Sequence, residues 1–292
     1  MPLLPINPNT TQSLIDKGFA EEGFGRGYMG MSGIGNPCLR ALQLQFRMTK
    51  KSQIGHRLNR IFNTGHIAER FMIADLNRIG IETFYRFDAD TKTPMTGAVG
   101  EKQEEIIGFA GHWKGHIDGR CLGVIEAPKT EHLLEMKTHN DKSFNAVKKD
   151  GVKRSKPMHY DQMTRYMSGT KLKRALYMAY NKNTSEYHFE RVRYDPEHGA
   201  ELKRKEQIVL MEENPFPRIG TGKPSWHECK FCGQKDICFS RIEPARTCGT
   251  CEHRDVYDEG VFKCGRNDKD LTWDDQVKGC DHHQIGVFFQ LL

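Results

Sequence analysis

Seven of the nine cysteines fall in the last 64 residues, at positions 229, 232, 238, 248, 251, 264 and 280; only Cys38 and Cys121 lie upstream. So short a segment cannot build an apolar core of its own, and thiols at this density point to cross-links or bound metal. A secreted disulfide scaffold would be smaller and would carry a signal peptide. The opening Met1-Pro2-Leu3-Leu4-Pro5 has no basic region and the first lysine is Lys17, so a cytoplasmic chain with reduced thiols is expected. In that setting C-x-x-C pairs read as metal ligands.

The cysteines divide into two groups. Cys229-x-x-Cys232-x5-Cys238 supplies three thiolates, and Cys38, in Asn36-Pro37-Cys38-Leu39-Arg40, is the candidate fourth. Thiolate number alone does not separate zinc from iron at such a site. Cys248, Cys251, Cys264 and Cys280 lie within 33 residues and read as a structural zinc knuckle or ribbon, with His253, His282 and His283 as alternative ligands. Cys121 is left as a buried free thiol.

The remainder of the 292 residues is organised as an α/β chain. A Gly- and Pro-punctuated arm over residues 1–30 holds a short helix near Thr11 to Glu22. A helical stretch opens at Pro37, and a longer helix runs from about Gly55 to Ile79, with Leu58, Ile61, Phe62, Ala68, Phe71, Met72 and Leu76 on its apolar period. Strands are expected over Ile81–Phe87, Glu105–Ala110, His116–Val124 and His132–Thr138. A basic helix follows over Lys142–Ser168, then strands over Ala175–Tyr180 and Glu186–Tyr194 and a charged helix over Pro196–Glu213. Pro215, Pro217, Gly220, Gly222 and Pro224 mark a break before the thiol-rich tail. The expected division is an arm (1–30), an α/β domain with a central mixed sheet flanked by helices (31–240) and a zinc-binding tail (241–292). No apolar run reaches the roughly 18 residues of a membrane span.

One strand carries chemistry. In Leu133-Leu134-Glu135-Met136-Lys137-Thr138, Glu135 and Lys137 share one face and Leu134 and Met136 the other. Burying an acid and a lysine together is costly unless they serve a purpose, and a divalent cation supplies one. Asp118, in Gly115-His116-Ile117-Asp118, adds a second hard oxygen donor, suited to Mg²⁺ or Mn²⁺, and Lys137 could orient the attacking water. The other two E-x-K pairs, Glu201-Lys203 and Glu228-Lys230, sit in the charged helix and the tail and read as solvated charge. Upstream, Gly65-His66-Ile67-Ala68-Glu69 places a carboxylate on the long helix. Downstream, Gln162 and Tyr166 lie one turn apart on a helix face.

This order resembles the RecB-like branch of the PD-(D/E)xK nucleases, whose pattern is G-x-x-x-H or G-x-x-x-E, then G-x-x-D, E-x-K and Q-x-x-x-Y. The resemblance spans roughly residues 31 to 240 and implies a restriction-endonuclease-like core. It implies that Glu69, Asp118, Glu135 and the carbonyl of Met136 hold the metal. Lys137 would assist the water, and Gln162 with Tyr166 would organise the site. Many relatives have His at the helical position; here it is Glu69, with His66 displaced to the position after the glycine. One cysteine before the core and three after it resembles the iron–sulfur subgroup, of AddB and CRISPR-adaptation type, in which a 4Fe–4S cluster on Cys38, Cys229, Cys232 and Cys238 would staple the domain ends.

The net charge is +6, and six basic residues (Lys142, Lys148, Lys149, Lys153, Arg154 and Lys156) against one acid, Asp150, nearly account for it. Their place after the E-x-K strand suits phosphate contact without sequence reading. Phe144, His159 and Tyr160 are candidates either for base stacking or for the core. The family resemblance implies a metal-dependent DNA exonuclease for DNA ends, in phage-type recombination or replication within a bacterial cytoplasm. A structure-selective endonuclease and a catalytically silent DNA-binding adaptor are the alternatives. DNA is the expected partner, with a recombinase, single-strand-binding protein or helicase beside it; no phosphate-binding Gly-Lys-Ser/Thr loop is present, so unwinding would need that helicase.

Overall fold

The computed structural model describes residues 10–19, 21–88, 91–94, 103–240 and 242–292. Residues 1–9 and 20 of the expected arm lie outside the described residues. Helix α1 (Thr11–Gly18) opens on Thr10, whose hydroxyl accepts from the Ser13 amide at 3.1 Å. It ends before the expected Glu22, because the chain turns into strand β1 (Glu21–Gly23). Short β2 (Met29–Gly30), helix α2 (Leu39–Phe46) and β3 (Ser52–Ile54) follow, and β1 pairs with β3.

Helix α3 (His56–Arg78) precedes β4 (Glu82–Asp88) and β5 (Thr91–Pro94). Only its C-terminal half, through Ala68, Met72, Ile73 and Leu76, is buried on the sheet; Leu58, Ile61, Phe62 and Phe71 are exposed. The sequence periodicity is therefore real, but the helix overhangs what it packs on.

Strands β6 (Glu105–Ile107), β7 (Trp113–His116), β8 (Gly119–Leu122) and β9 (His132–His139) come next. The expected strand Glu105–Ala110 stops at Ile107, where a 3₁₀ turn with Ala110 at φ 50° intervenes. The expected strand His116–Val124 is two strands in two different sheets, with Asp118 at the step between them. The expected basic helix Lys142–Ser168 is likewise two, α4 (Asp141–Ser155) and α5 (Pro157–Thr170). Pro157 lacks an amide hydrogen and forces Lys156 out of helical geometry, so it starts a helix and cannot continue one. Strands β10 (Arg174–Asn181) and β11 (Tyr187–Arg193) and helix α6 (Pro196–Met211) complete the core.

The main sheet is mixed, in the order β11-β10-β9-β8-β4-β5, and only β9 and β10 run parallel. Helices α4 and α5 make the crossover between that pair. A smaller sheet, β2-β7-β6, abuts it. Alternation along β9 and β10 sorts the core into two layers. Leu133, Ala175, Tyr177 and Ala179 pack with α4 and α5, whereas Leu134, Met136, Leu176 and Met178 pack with α3.

The tail does not stand apart. Phe262 joins the main core, and Phe288 packs with Leu44 and Ile237. Gly111, at φ +76°, admits no side chain, because a Cβ there would lie 2.4 Å from the amide nitrogen of Gly260. No helix among the described residues is long and apolar enough to cross a membrane.

Candidate active site

The site is built on the β8–β9 pairing. Asp118 directly precedes β8, and its Oδ2 accepts from the Met136 amide at 2.8 Å and from Lys137 Nζ at 3.4 Å. Lys137 Nζ also lies 2.5 Å from Glu135 Oε1 and donates to the Met136 carbonyl at 3.2 Å. Glu135 is fully buried, yet neither of its oxygens receives a well-aligned hydrogen bond. A buried carboxylate left so poorly satisfied is expensive, and such exceptions cluster where a ligand is expected.

The electrostatics show the same imbalance. Burial pushes Glu69 up to about 7, and Asp118 adds to the shift while Lys137 opposes it. Burial also raises Glu135, with Lys137 offsetting only part of the effect. Lys137 is raised well above the ordinary lysine value: burial works against its charge, but Asp118 and Glu135 outweigh burial. Three carboxylates thus share one ammonium. This surplus of hard, negatively charged oxygen is of the kind that a divalent cation would offset. Among the described residues no group of three or more His, Cys, Asp or Glu side chains is arranged so as to hold a metal ion.

Helix α5 backs the site. Gln162 Nε2 donates to the Tyr166 hydroxyl at 3.2 Å, and both side chains are buried. Burial raises the Tyr166 pKa, and Glu135 adds to the shift, so the phenol stays protonated beside the acids. Gly115 makes room: a Cβ there would lie 2.6 Å from the Tyr166 hydroxyl. On α3, Glu69 turns inward with 21% side-chain exposure while His66 stands at 74%, 3.9 Å from Glu69.

A cavity of about 680 Å³ is lined by Glu69, Met136 and Lys137 together with Ile61, Phe62, Lys156 and His159; Asp118 and Glu135 do not line it. Sequence reasoning missed a hydrogen-bonded chain that contributes His139, Ser143 and His159 to its lining. His139 Nδ1 meets Ser143 Oγ at 2.9 Å, His139 Nε2 meets the Tyr177 hydroxyl at 2.9 Å, and that hydroxyl meets His159 Nδ1 at 2.8 Å. Burial, followed by nearby lysines, lowers His139 to about 4 and His159 to about 3, so both rings are neutral. Tyr177 has one proton to give, so one imidazole must donate to it while the other accepts. The residues are separated by 38 and 18 positions; the only local hint was His139, two places beyond Lys137.

Of the six basic residues, Lys156 alone lines this cavity; Lys142, Lys148, Lys149, Lys153 and Arg154 are exposed along α4. Phe144 and Tyr160 are core residues, the latter stacked on His198, so neither is free for a base; His159 is the one of the three that faces the cavity.

Burial raises the Cys229 pKa, with Cys38, Cys232 and Cys238 as its next electrostatic neighbours. Burial pushes Cys248 up to about 11, followed by Cys251, Cys280 and Cys264. Cys121 is buried, and burial pushes it up to about 12, which makes it an inert thiol.

No family model matches the sequence, and no curated protein matches it. Among solved structures, the chain is similar to an alkaline exonuclease (LHK-Exo) from Laribacter hongkongensis at 18% identity and a TM-score of 0.40, over 64% of this chain and 87% of that one. The same enzyme in complex with dAMP aligns at 16% identity and a TM-score of 0.38, with the same coverage. The protein SSO0001 aligns at 13% identity and a TM-score of 0.42, over 81% of this chain and 100% of that one.

Proposed function

We propose that the protein is a Mg²⁺- or Mn²⁺-dependent deoxyribonuclease that degrades DNA from its ends. The observation that carries the reading is the ion-paired group of Asp118, Glu135 and Lys137, with Glu135 fully buried and with Lys137 and Glu69 lining one cavity. The bound cation would supply Lewis-acid stabilisation of the phosphodiester and a nucleophilic water. Lys137, held protonated by Asp118 and Glu135, would act as a donor that orients water or the phosphate oxygen and would not act as a base. Gln162 and Tyr166 would fix the protein side of the site, and Lys156 would hold a phosphate at the cavity wall.

Cys38, Cys229, Cys232 and Cys238 would carry a 4Fe–4S cluster with a structural role, and Cys248, Cys251, Cys264 and Cys280 a structural zinc. Burial raises the Cys229, Cys232 and Cys248 thiols, so loading would release protons there. Eight thiolates against two dications would take the net charge from +6 to about +2, leaving DNA affinity to local cations.

End-labelled linear DNA and covalently closed circles, each with Mg²⁺ or Mn²⁺, test the reading. Release of nucleotides from linear DNA alone is expected. Cleavage of circles would make the enzyme an endonuclease, and no cleavage of either by anaerobically purified protein would sink the proposal. Metal analysis of the same sample should give about four iron and one zinc per chain.

A further inference from the structure

The hydrogen-bonded chain of Ser143, His139, Tyr177 and His159 has no part in the chemistry proposed above. Ser143, His139 and His159 line the cavity that Glu69 and Lys137 line, and Tyr177, fully buried, joins the two rings. Polar groups set into a core are costly unless each finds a partner. Three links are filled: Ser143 Oγ to His139 Nδ1, His139 Nε2 to the Tyr177 hydroxyl, and that hydroxyl to His159 Nδ1. One ring nitrogen is left over. His159 Nε2 makes no hydrogen bond among the described residues and remains open to solvent, on a residue that lines the cavity.

Burial keeps the proton on Tyr177, so the chain has two orientations. In the first, Ser143 donates to His139 Nδ1, His139 Nε2 donates to Tyr177, Tyr177 donates to His159 Nδ1, and His159 Nε2 carries a hydrogen. In the second, every bond is reversed and His159 Nε2 offers a lone pair. The charges beside the ring decide between them. Burial, followed by Lys137, the His139 ring and Lys156, keeps the His159 imidazole neutral, and both lysines line the same cavity. Two ammonium groups attract an anion and oppose a metal ion at that nitrogen. An anion accepts hydrogen bonds, so it selects the first orientation.

We propose that His159 contacts the substrate phosphate: its Nε2–H donates to a non-bridging oxygen of the phosphodiester, and Tyr177, backed by His139 and Ser143, is the positioning residue that fixes the ring and its tautomer. The inference rests on the nuclease reading for the identity of the phosphodiester, and on the chain and the two lysines alone for the anion contact. A donor placed at an oxygen that gains charge in the transition state acts on turnover more than on binding.

Two measurements test it on the full-length protein purified anaerobically. The first is a titration of ¹⁵N-histidine-labelled protein with inorganic phosphate, without Mg²⁺ or Mn²⁺, followed by NMR. The His159 signals, identified by their loss in His159→Gln, should shift and report a proton on Nε2 and none on Nδ1. No shift, or a proton on Nδ1 in the phosphate complex, overturns the proposal. The second is hydrolysis of linear DNA. His159→Asn keeps a group near Nδ1 for Tyr177 but has none at Nε2, so kcat should fall about 10²-fold with KM changed less than about threefold. His159→Gln places an amide N–H near Nε2 and should recover about tenfold of that loss. Tyr177→Phe should lose about as much as His159→Asn, and the double variant no more than either, since the two act as one unit. Equal losses in Asn and Gln, or additive losses in the double variant, overturn the proposal. The His159 pair and the titration decide it even where Tyr177→Phe fails to fold. Phosphate-dependent protonation of Nε2 in a protein that hydrolyses no DNA under any divalent metal would sink the nuclease reading and leave the anion contact standing.

Discussion

Two carboxylate–cation pairs lie in the core and are built in opposite ways. Arg165 meets Glu206 at 2.5 and 3.3 Å through two nitrogens, and Glu206 Oε2 also accepts from the Phe109 amide at 2.9 Å. Every oxygen of that buried acid has a donor. Glu135 has only Lys137, which it shares with Asp118 and the Met136 carbonyl, and neither of its oxygens is well bonded. The first pair joins α5 to α6 and is complete; the second is an incomplete set of charges facing a cavity. A buried ion pair with its hydrogen bonds filled reads as structure, and one left short reads as a site.

The comparison can be broken from either side. Lys137→Ala and Asp118→Ala should each cost about 10³-fold or more in DNA hydrolysis while the thermal unfolding midpoint changes little. Full activity in both would remove the site from the proposed chemistry. Glu206→Ala should do the reverse: it strands Arg165 without a partner, so chemical denaturation should show a loss of about 3–5 kcal/mol, with activity per folded molecule largely kept.

Glu135→Gln tests whether the site is short of positive charge. The variant should be inactive yet as stable as the parent to within about 1 kcal/mol, since the amide keeps the shape of the acid and Lys137 stays paired with Asp118. Mn²⁺ should raise the melting temperature of the parent and not that of Glu135→Gln. A variant several kcal/mol less stable would mean that Glu135 is structural after all.

The smallest effect belongs to a pair of intermediate exposure. His198 Nε2 lies 2.6 Å from Asp161 and Nδ1 lies 3.1 Å from Glu201. Burial opposes its charge, but the bonds to Asp161 and Glu201 outweigh burial and raise its pKa above 6.5. A raised folded-state value means stability that is fully present below about pH 6.5 and lost as pH rises through the folded value. Parent protein should therefore lose more stability than His198→Gln between about pH 6 and pH 8, by less than about 1 kcal/mol. Parallel pH profiles would show that the pair contributes nothing.

Much of the candidate set was legible in the chain. A strand repeats every two residues, so Glu135 and Lys137 had to share a face; a helix repeats every 3.6, so Gln162 and Tyr166 had to stand together. The cysteine spacings likewise separate two groups along the chain. The step at Asp118 had a local signal in the turn dipeptide Asp118-Gly119, but its consequence was not legible, because β7 and β8 are claimed by different sheets.

What the sequence by itself determined is local: which side chains share a face, where Pro157 must end one helix and begin another, and which thiols are near neighbours in the chain. Only the tertiary structure decided which of those faces became a site. The chain from His139 through Tyr177 to His159 depends on contacts between residues far apart in sequence. Periodicity cannot report such contacts, because the sheet pairing and the docking of the tail that create them are set by packing, and packing is a property of the whole chain.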